Sequence, residues 1–131
     1  MERRMVTSSR PWEEQAGFSR GIRVGNLVEV SMTSPAGPDG EILHPGKVYQ
    51  QTKASLEIIG EVLAELGASF KDVYRTRMYL LDMSQWAEAG RAHKEVFADI
   101  RPVTGWVGLA AFFHPDIVVE VEVTAIVDDA P

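Results

Sequence analysis

Residues 118–125 alternate regularly between two kinds of side chain, and this pattern constrains the fold more than any other feature of the chain. Positions 119, 121, 123, 125 and 127 carry Val, Val, Val, Ala and Val, and successive side chains of a strand point to opposite faces of its sheet. One face is therefore uniformly apolar and must be covered by other elements. The opposite face combines Glu120 and Glu122 with Val118, Thr124 and Ile126. A partner subunit is the simplest explanation for such a mixed face.

A change of hydrophobic period at Val48 predicts the first long helix. Apolar residues recur at helical spacing from Val48 to Leu66, while charged and amide side chains occupy the rest of the helical wheel. Gly67 is expected to end this helix in left-handed backbone conformation. Gly60 lies inside the helix, where it lowers helix propensity, and its presence there suggests close packing.

A second helix is expected after Asp82. This residue can act as its N-cap, with Gln85 three positions on as the partner in a capping box. The helix should run to about Phe97, and its spacing predicts that Trp86 and His93 turn inward together with Ala and Phe side chains.

The order of the predicted elements is strand, strand, helix, strand, helix, strand, strand. Strands are expected at 18–23, 27–31, 73–81, 104–110 and 117–127, with a Gly25-Asn26 turn between the first two. This order is typical of an α+β protein in which two helices pack on one face of a mixed sheet. Residues 1–15 are polar and are expected to form a flexible N-terminal segment, so that residues 16–131 form a single domain.

The composition excludes several classes of function. The formal net charge of −6 argues against nucleic acid as a partner, and the absence of cysteine excludes disulfides and thiolate metal sites. His44, His93 and His114 do not have the spacing of metal ligands, so neither a metal nor a cofactor is expected. No apolar run is long enough to span a bilayer, and no secretory signal is recognised. A cytoplasmic protein with no membrane partner is therefore predicted.

Three segments carry a resemblance to a known family: residues 21–26 (GIRVGN), 73–83 (VYRTRMYLLDM) and 119–125 (VEVEVTA). In this order and at these intervals, the chain resembles the Rid (YjgF-like) family of reactive-intermediate deaminases. The resemblance implies a chorismate-mutase-like domain that forms a homotrimer, with the sheets lining a central barrel and a small-molecule cleft at each subunit interface. Active members hydrolyse enamines and imines, such as 2-aminoacrylate, to the keto acid and ammonia.

The resemblance also implies which residues form the cleft. By position, these are Phe18, Ser31, Met32, Gly90, Thr104, Trp106 and Glu120. Active members have an Arg that binds the substrate carboxylate where this chain has Thr104, and a small residue, often Cys, where it has Trp106. The Tyr of the first strand corresponds to Phe18, and an Asn of the second helix to Gly90.

The replacement of Arg by Thr104 leaves two interpretations open. A hydroxyl cannot replace the paired donors of a guanidinium, so hydrolysis of a free imino acid should suffer severely. In the first interpretation, Phe18 and Trp106 wall a pocket that suits a neutral or aromatic-bearing molecule. In the second interpretation, Trp106 fills the cleft and no activity remains.

Glu120 is the candidate catalytic residue. It corresponds to the family Glu that positions or activates water, and an apolar surrounding would raise its pKa. The alternative is that Glu120 and Glu122 form structural ion pairs with Arg75 and Arg77 on the same sheet face. The sequence thus predicts an enzyme acting on a small reactive metabolite by imine or enamine hydrolysis or a related water addition. A non-catalytic binding or regulatory trimer that uses the same clefts is the other hypothesis.

Overall fold

The computed structural model describes residues 1–128, which contain one six-stranded mixed sheet with the strand order β1-β2-β3-β6-β4-β5. The strands are β1 (Arg3–Val6), β2 (Gly21–Val24), β3 (Leu27–Thr33), β4 (Val73–Leu80), β5 (Val103–Gly108) and β6 (Val119–Ile126). The helices are α1 (Pro11–Ala16), α2 (Val48–Glu65) and α3 (Trp86–Phe97). β4 and β5 run parallel, and the other strand pairs of this part of the chain are antiparallel. The predicted α+β class is confirmed.

The core lies between the two long helices and one face of the sheet. The alternation predicted for β6 is confirmed: Val119, Val121 and Ala125 have no exposed surface and belong to one buried cluster with side chains of α2 and α3. Removal of this apolar surface from water is the main favourable term for the fold. The face that these residues occupy is called the helix face below, and the opposite face is called the open face.

The predicted end of α2 and the predicted turn of the first hairpin are both confirmed. Gly67 has φ +76° and follows the end of α2, and the N–H of Ala68 donates to the Leu63 carbonyl at 2.8 Å. This is the bond pattern of a Schellman motif. The hairpin closes through Gly25-Asn26, with Val24 paired to Leu27.

The N-terminal segment takes regular structure that the sequence did not predict. Residues Arg3–Val6 form an edge strand antiparallel to β2, and Pro11–Ala16 form a short helix. β1 is almost fully exposed, so it carries no apolar alternation by which the sequence could reveal it. The flexibility of residues 1–15 and the single domain over 16–131 stay predictions.

Two features near the ends of elements differ from the sequence-based expectation. β2 begins at Gly21, so Phe18 lies in the link between α1 and the sheet. Trp86 is 59% exposed and does not face the core. It is the first residue of α3, and its indole lies at the end of the helix beside Gly90, whereas Ala89 is fully buried. A single 3₁₀ turn, capped by Asp82, precedes the helix.

Within residues 1–128, no helix combines the length and the apolar character that crossing a membrane requires.

Candidate functional site

The sheet register divides the predicted site residues between its two faces. Thr76 of β4 pairs with Val123 of β6 and with Thr104 of β5, which places Thr104 on the helix face. Glu120 occupies an even position of β6 and therefore points to the open face. Within one chain, the candidate catalytic group and the residue at the position of the family Arg therefore point to opposite sides of the sheet.

Glu120 is a buried carboxyl group held by a short hydrogen bond. Its residue is 5% exposed, and its Oε2 accepts a hydrogen bond of 2.7 Å from the Ser34 hydroxyl. Burial raises the pKa of Glu120, while the Ser34 hydrogen bond and the positive charge of Arg20 act in the opposite direction. A carboxyl group whose pKa lies above the usual range can accept and return a proton nearer to neutral pH.

Arg20 connects this carboxyl group to the N-terminal helix. It is 1% exposed, and its Nε lies 3.4 Å from Glu13 Oε2, while Nη1 donates to the Met32 carbonyl at 3.1 Å. Glu13 is itself buried and also accepts a hydrogen bond from the Ser8 backbone N–H at 2.8 Å. Sequence reasoning missed Ser34 because it lies 86 positions from Glu120 in the chain. It missed Glu13 and Arg20 because, although close in sequence, they do not share one helix or strand whose spacing would bring them together.

Three of the predicted cleft residues lie near this cluster. Phe18 is 38% exposed, and its ring centroid lies 5.3 Å from the Arg20 guanidinium carbon. Phe18 and Ser31 line a groove of about 350 Å³ together with Glu122. The Ser31 hydroxyl donates to the Ser19 carbonyl at 2.8 Å. The Met32 carbonyl accepts the hydrogen bond from Arg20 Nη1.

Glu122 makes a contact with Arg77 of the kind that the structural alternative predicts, whereas Glu120 is hydrogen-bonded to Ser34. Glu122 Oε1 accepts a hydrogen bond of 2.5 Å from the Tyr79 hydroxyl and lies 3.7 Å from Arg77 Nη1. Burial and the bond to Glu122 raise the pKa of Tyr79 to about 12. Glu120 has Ser34 as its hydrogen-bond partner, so the two carboxylates of β6 occupy different environments.

The residues on the helix face form a second group around α3. Thr104 is exposed, and its Oγ1 accepts a hydrogen bond of 2.7 Å from the Thr76 hydroxyl. Thr76 is fully buried, and its Oγ1 lies 2.9 Å from His93 Nε2. Burial lowers the pKa of His93, which favours the neutral ring.

Trp106 is half-buried against α3. Its ring centroid lies 6.1 Å from that of His93, and a Cβ atom at Gly90 would lie 3.8 Å from its Cη2. A side chain at position 90 would therefore make an ordinary van der Waals contact with the indole. In one chain the structure thus brings Thr104 and Trp106 to the side of α3 that carries Gly90 and His93, apart from the open-face residues.

Among residues 1–128, no group of three or more His, Asp or Glu side chains is arranged to hold a metal ion.

The sequence is similar to those of a known protein family. A profile of the endoribonuclease L-PSP family matches residues 7–127. An uncharacterized protein of Streptomyces coelicolor is 38% identical over 123 residues, which cover 93% of this chain and 90% of that protein. The 3-aminoacrylate deaminase RutC of Acinetobacter baylyi is 29% identical, and the match covers 81% of this chain and 83% of that protein.

The fold is also that of a solved structure. The crystal structure of a Mycobacterium tuberculosis member of the YjgF/YER057c/UK114 family superimposes with a TM-score of 0.86 and 39% sequence identity. The superposition covers 96% of this chain and all of that chain.

Proposed function

Because the chain belongs to the endoribonuclease L-PSP family, which includes the YjgF/Rid proteins, we propose that it hydrolyses the C=N bond of a small reactive metabolite or adds water to a related enamine. The observation that carries the proposal is the buried Glu120, hydrogen-bonded to Ser34 and with a raised pKa. One relative of this chain is named as a 3-aminoacrylate deaminase, which agrees with this class of reaction.

In the proposed reaction, the Glu120 carboxylate accepts a proton from water as the water oxygen bonds to the carbon of the protonated imine, which gives a neutral carbinolamine. Glu120 returns this proton to the nitrogen, the C–N bond breaks as the C=O bond forms, and the hydroxyl proton of the carbinolamine passes back to the Glu120 carboxylate. The carbonyl product and ammonia leave, and Glu120 then gives up its proton to ammonia or to solvent. Ser34 fixes the carboxylate through its hydrogen bond, and the charge of Arg20 favours the ionised form. No cofactor is needed, because imine hydrolysis consumes only water.

The complete site is proposed to require two subunits of a homotrimer with a central barrel. Since Glu120 and Thr104 lie on opposite faces of one sheet, a cleft that uses both must combine the open face of one subunit with the β5 end of another. Exposed apolar side chains on the open face support contact with another subunit, because apolar patches of this kind favour association: Val103, Val107, Leu27 and Ile126. The expected solution mass is three times that of the 14.5-kDa chain.

The remaining cleft residues are proposed to select the substrate. Phe18 and Trp106 supply apolar walls, Ser31, Met32 and Thr104 supply polar contacts, and Gly90 lies beside Trp106. Nucleic acid is not proposed as a substrate, because a net charge of −6 opposes phosphate binding. A cytoplasmic location stays a prediction.

Ammonia release tests the proposal. Freshly generated 2-aminoacrylate and a neutral enamine are supplied to the wild type, to Glu120→Gln and to Glu61→Gln, a control at an exposed position of α2. We expect turnover of the neutral enamine, which Glu120→Gln lowers at least 100-fold, in line with removal of a general base. Glu61→Gln should retain most activity. Equal activity of Glu120→Gln and the wild type would contradict the catalytic role.

A non-catalytic binding trimer is the second candidate, and Thr104 favours it, because a hydroxyl group stands where active members have the Arg that holds the substrate carboxylate. This function predicts ligand binding without ammonia release, and ligand affinity that Glu120→Ala leaves unchanged. Calorimetric titration of the same variants distinguishes the two functions.

A further inference from the structure

The hydroxyl chain formed by Thr104, Thr76 and His93 suggests what replaces the carboxylate-binding Arg. We propose that His93, acting through Thr76, orients the Thr104 hydroxyl as a hydrogen-bond donor to a neutral oxygen of the substrate, such as an amide, ester or ketone carbonyl. In this inference, which rests on the proposed function and deepens it, His93 and Thr76 are positioning residues and the substrate class is a neutral carbonyl or imine compound.

The direction of the chain depends on the tautomer of His93. Thr76 Oγ1 lies 2.7 Å from Thr104 Oγ1 and 2.9 Å from His93 Nε2, and it has one proton to donate. In the proposed arrangement, His93 Nε2 carries a proton and donates it to Thr76, and Thr76 donates to Thr104. With Thr104 Oγ1 already accepting from Thr76, the proton of Thr104 is available to a ligand. The neutral Nε2–H tautomer of His93 therefore determines that Thr104 donates outward.

The surroundings of His93 disfavour protonation of its ring. Its ring lies 4.7 Å from the ring centroid of Phe97 and 6.1 Å from that of Trp106, and burial opposes its protonation.

The same geometry disfavours a carboxylate at Thr104. A carboxylate that enters an apolar cleft loses hydration, and a single neutral hydroxyl does not compensate for this loss as a bidentate guanidinium does. A neutral carbonyl loses much less hydration and needs only one donor. The exposed Thr104 hydroxyl, beside the indole of Trp106, provides such a donor.

¹⁵N NMR spectroscopy of the His93 imidazole tests the hydroxyl chain and does not require enzymatic turnover. We expect His93 of the wild type to be the neutral Nε2–H tautomer at pH 7. Thr76→Val should remove this preference, and Thr76→Ser should retain it, because the Ser hydroxyl can still accept from Nε2. A wild-type His93 in the Nδ1–H form would overturn the proposal, since Thr104 would then have to donate inward.

Ligand titration tests the substrate class. Pyruvamide and pyruvate serve as unreactive neutral and anionic probes, with binding followed by chemical shift changes of the Trp106 indole. We expect pyruvamide to bind at least 10-fold more tightly than pyruvate. Thr104→Val, Thr76→Val and His93→Phe should each weaken pyruvamide binding by about 2- to 10-fold, the effect of one hydrogen bond, whereas Thr104→Ser should not.

A preference for pyruvate, the absence of pyruvamide binding, or unchanged affinity in Thr76→Val would overturn the inference. These outcomes are distinct from failure of the proposed reaction, which would appear as lack of ammonia release while the His93 tautomer and the preference for pyruvamide are retained.

Discussion

The Ser34 hydroxyl donates a hydrogen bond of 2.7 Å to the Glu120 carboxylate, and this bond joins the loop after β3 to the strand β6. Both residues are buried, with exposures of 3% and 5%. Burial opposes ionisation of Glu120, while Ser34 and the charge of Arg20 favour it. The balance between these effects makes the stability of the protein depend on this carboxyl group and on pH.

Glu120→Gln is expected to stabilise the protein at neutral pH. The folded-state pKa of Glu120 is raised above its ordinary value of 4.5, so the folded protein binds the proton more strongly than the unfolded chain does. Stability therefore falls as pH rises from about that value through the raised folded-state pKa. Glutamine removes this dependence and can still accept from Ser34. Urea unfolding at pH 4 and pH 8 should show a larger gain at pH 8, and a larger gain at pH 4 would contradict the raised pKa.

Ser34→Ala is expected to destabilise the protein by about 1–3 kcal/mol at pH 8, because Glu120 loses a hydrogen-bond donor to its charged form. The loss should be smaller at pH 4, where the carboxyl group is protonated more often. Ser9→Ala is the control: its hydroxyl donates to the Pro38 carbonyl at an exposed site, and its effect should stay within about 0.5 kcal/mol. Equal losses in the two variants would contradict the importance of the buried bond.

Arg20→Gln is expected to lower the free energy of unfolding by about 3–5 kcal/mol, because it leaves the buried carboxylate of Glu13 without its cation. The double variant with Glu13→Gln should recover part of this loss. Denaturant unfolding of the single and double variants gives the coupling energy between the two residues. A coupling energy near zero would show that the N-terminal helix is not held through this ion pair.

Gly21→Ala is expected to destabilise the protein by about 1–3 kcal/mol, since a Cβ atom there would lie 2.5 Å from Val62 Cγ1. β2 and α2 approach each other too closely at this point for a methyl group. Gly105→Ala on β5 is the matched control, because no heavy atom outside its chain neighbours lies within 4 Å of its Cβ position. In thermal unfolding, the melting temperature of Gly21→Ala should lie clearly below that of Gly105→Ala. Similar melting temperatures would contradict the close approach of β2 and α2.

Thr104→Arg is expected to tighten pyruvate binding by about 10-fold or more, because a guanidinium restores paired, charged donors for a carboxylate. Thr104→Lys should give a smaller gain, since an ammonium group lacks the planar pair of donors. The chemical shift titration used for pyruvamide measures both. If Thr104→Arg binds pyruvate no better than the wild type does, Trp106 and Gly90 also exclude the carboxylate, and Thr104 alone does not determine the ligand class.

Local signals in the sequence predicted most of the fold. The alternation of β6, the helical period of α2 with its end at Gly67, and the Gly25-Asn26 hairpin each depend on neighbouring residues, so each could be recognised from the sequence. β1 and α1 escaped prediction because they are short and have little apolar patterning. Trp86 was wrongly placed inside because helical spacing does not show where the covered part of a helix begins.

The sequence by itself determined the family, the α+β class and the presence of a glutamate on the last strand, because these depend on residue order and on periodicity. The tertiary structure alone decided how these residues meet. It placed Ser34 and Arg20 around Glu120, Thr76 and His93 behind Thr104, and the two groups on opposite faces of one sheet. Hydrogen bonds and charge interactions act over a few ångströms in space, and the partners in these groups come from elements that are distant in the chain.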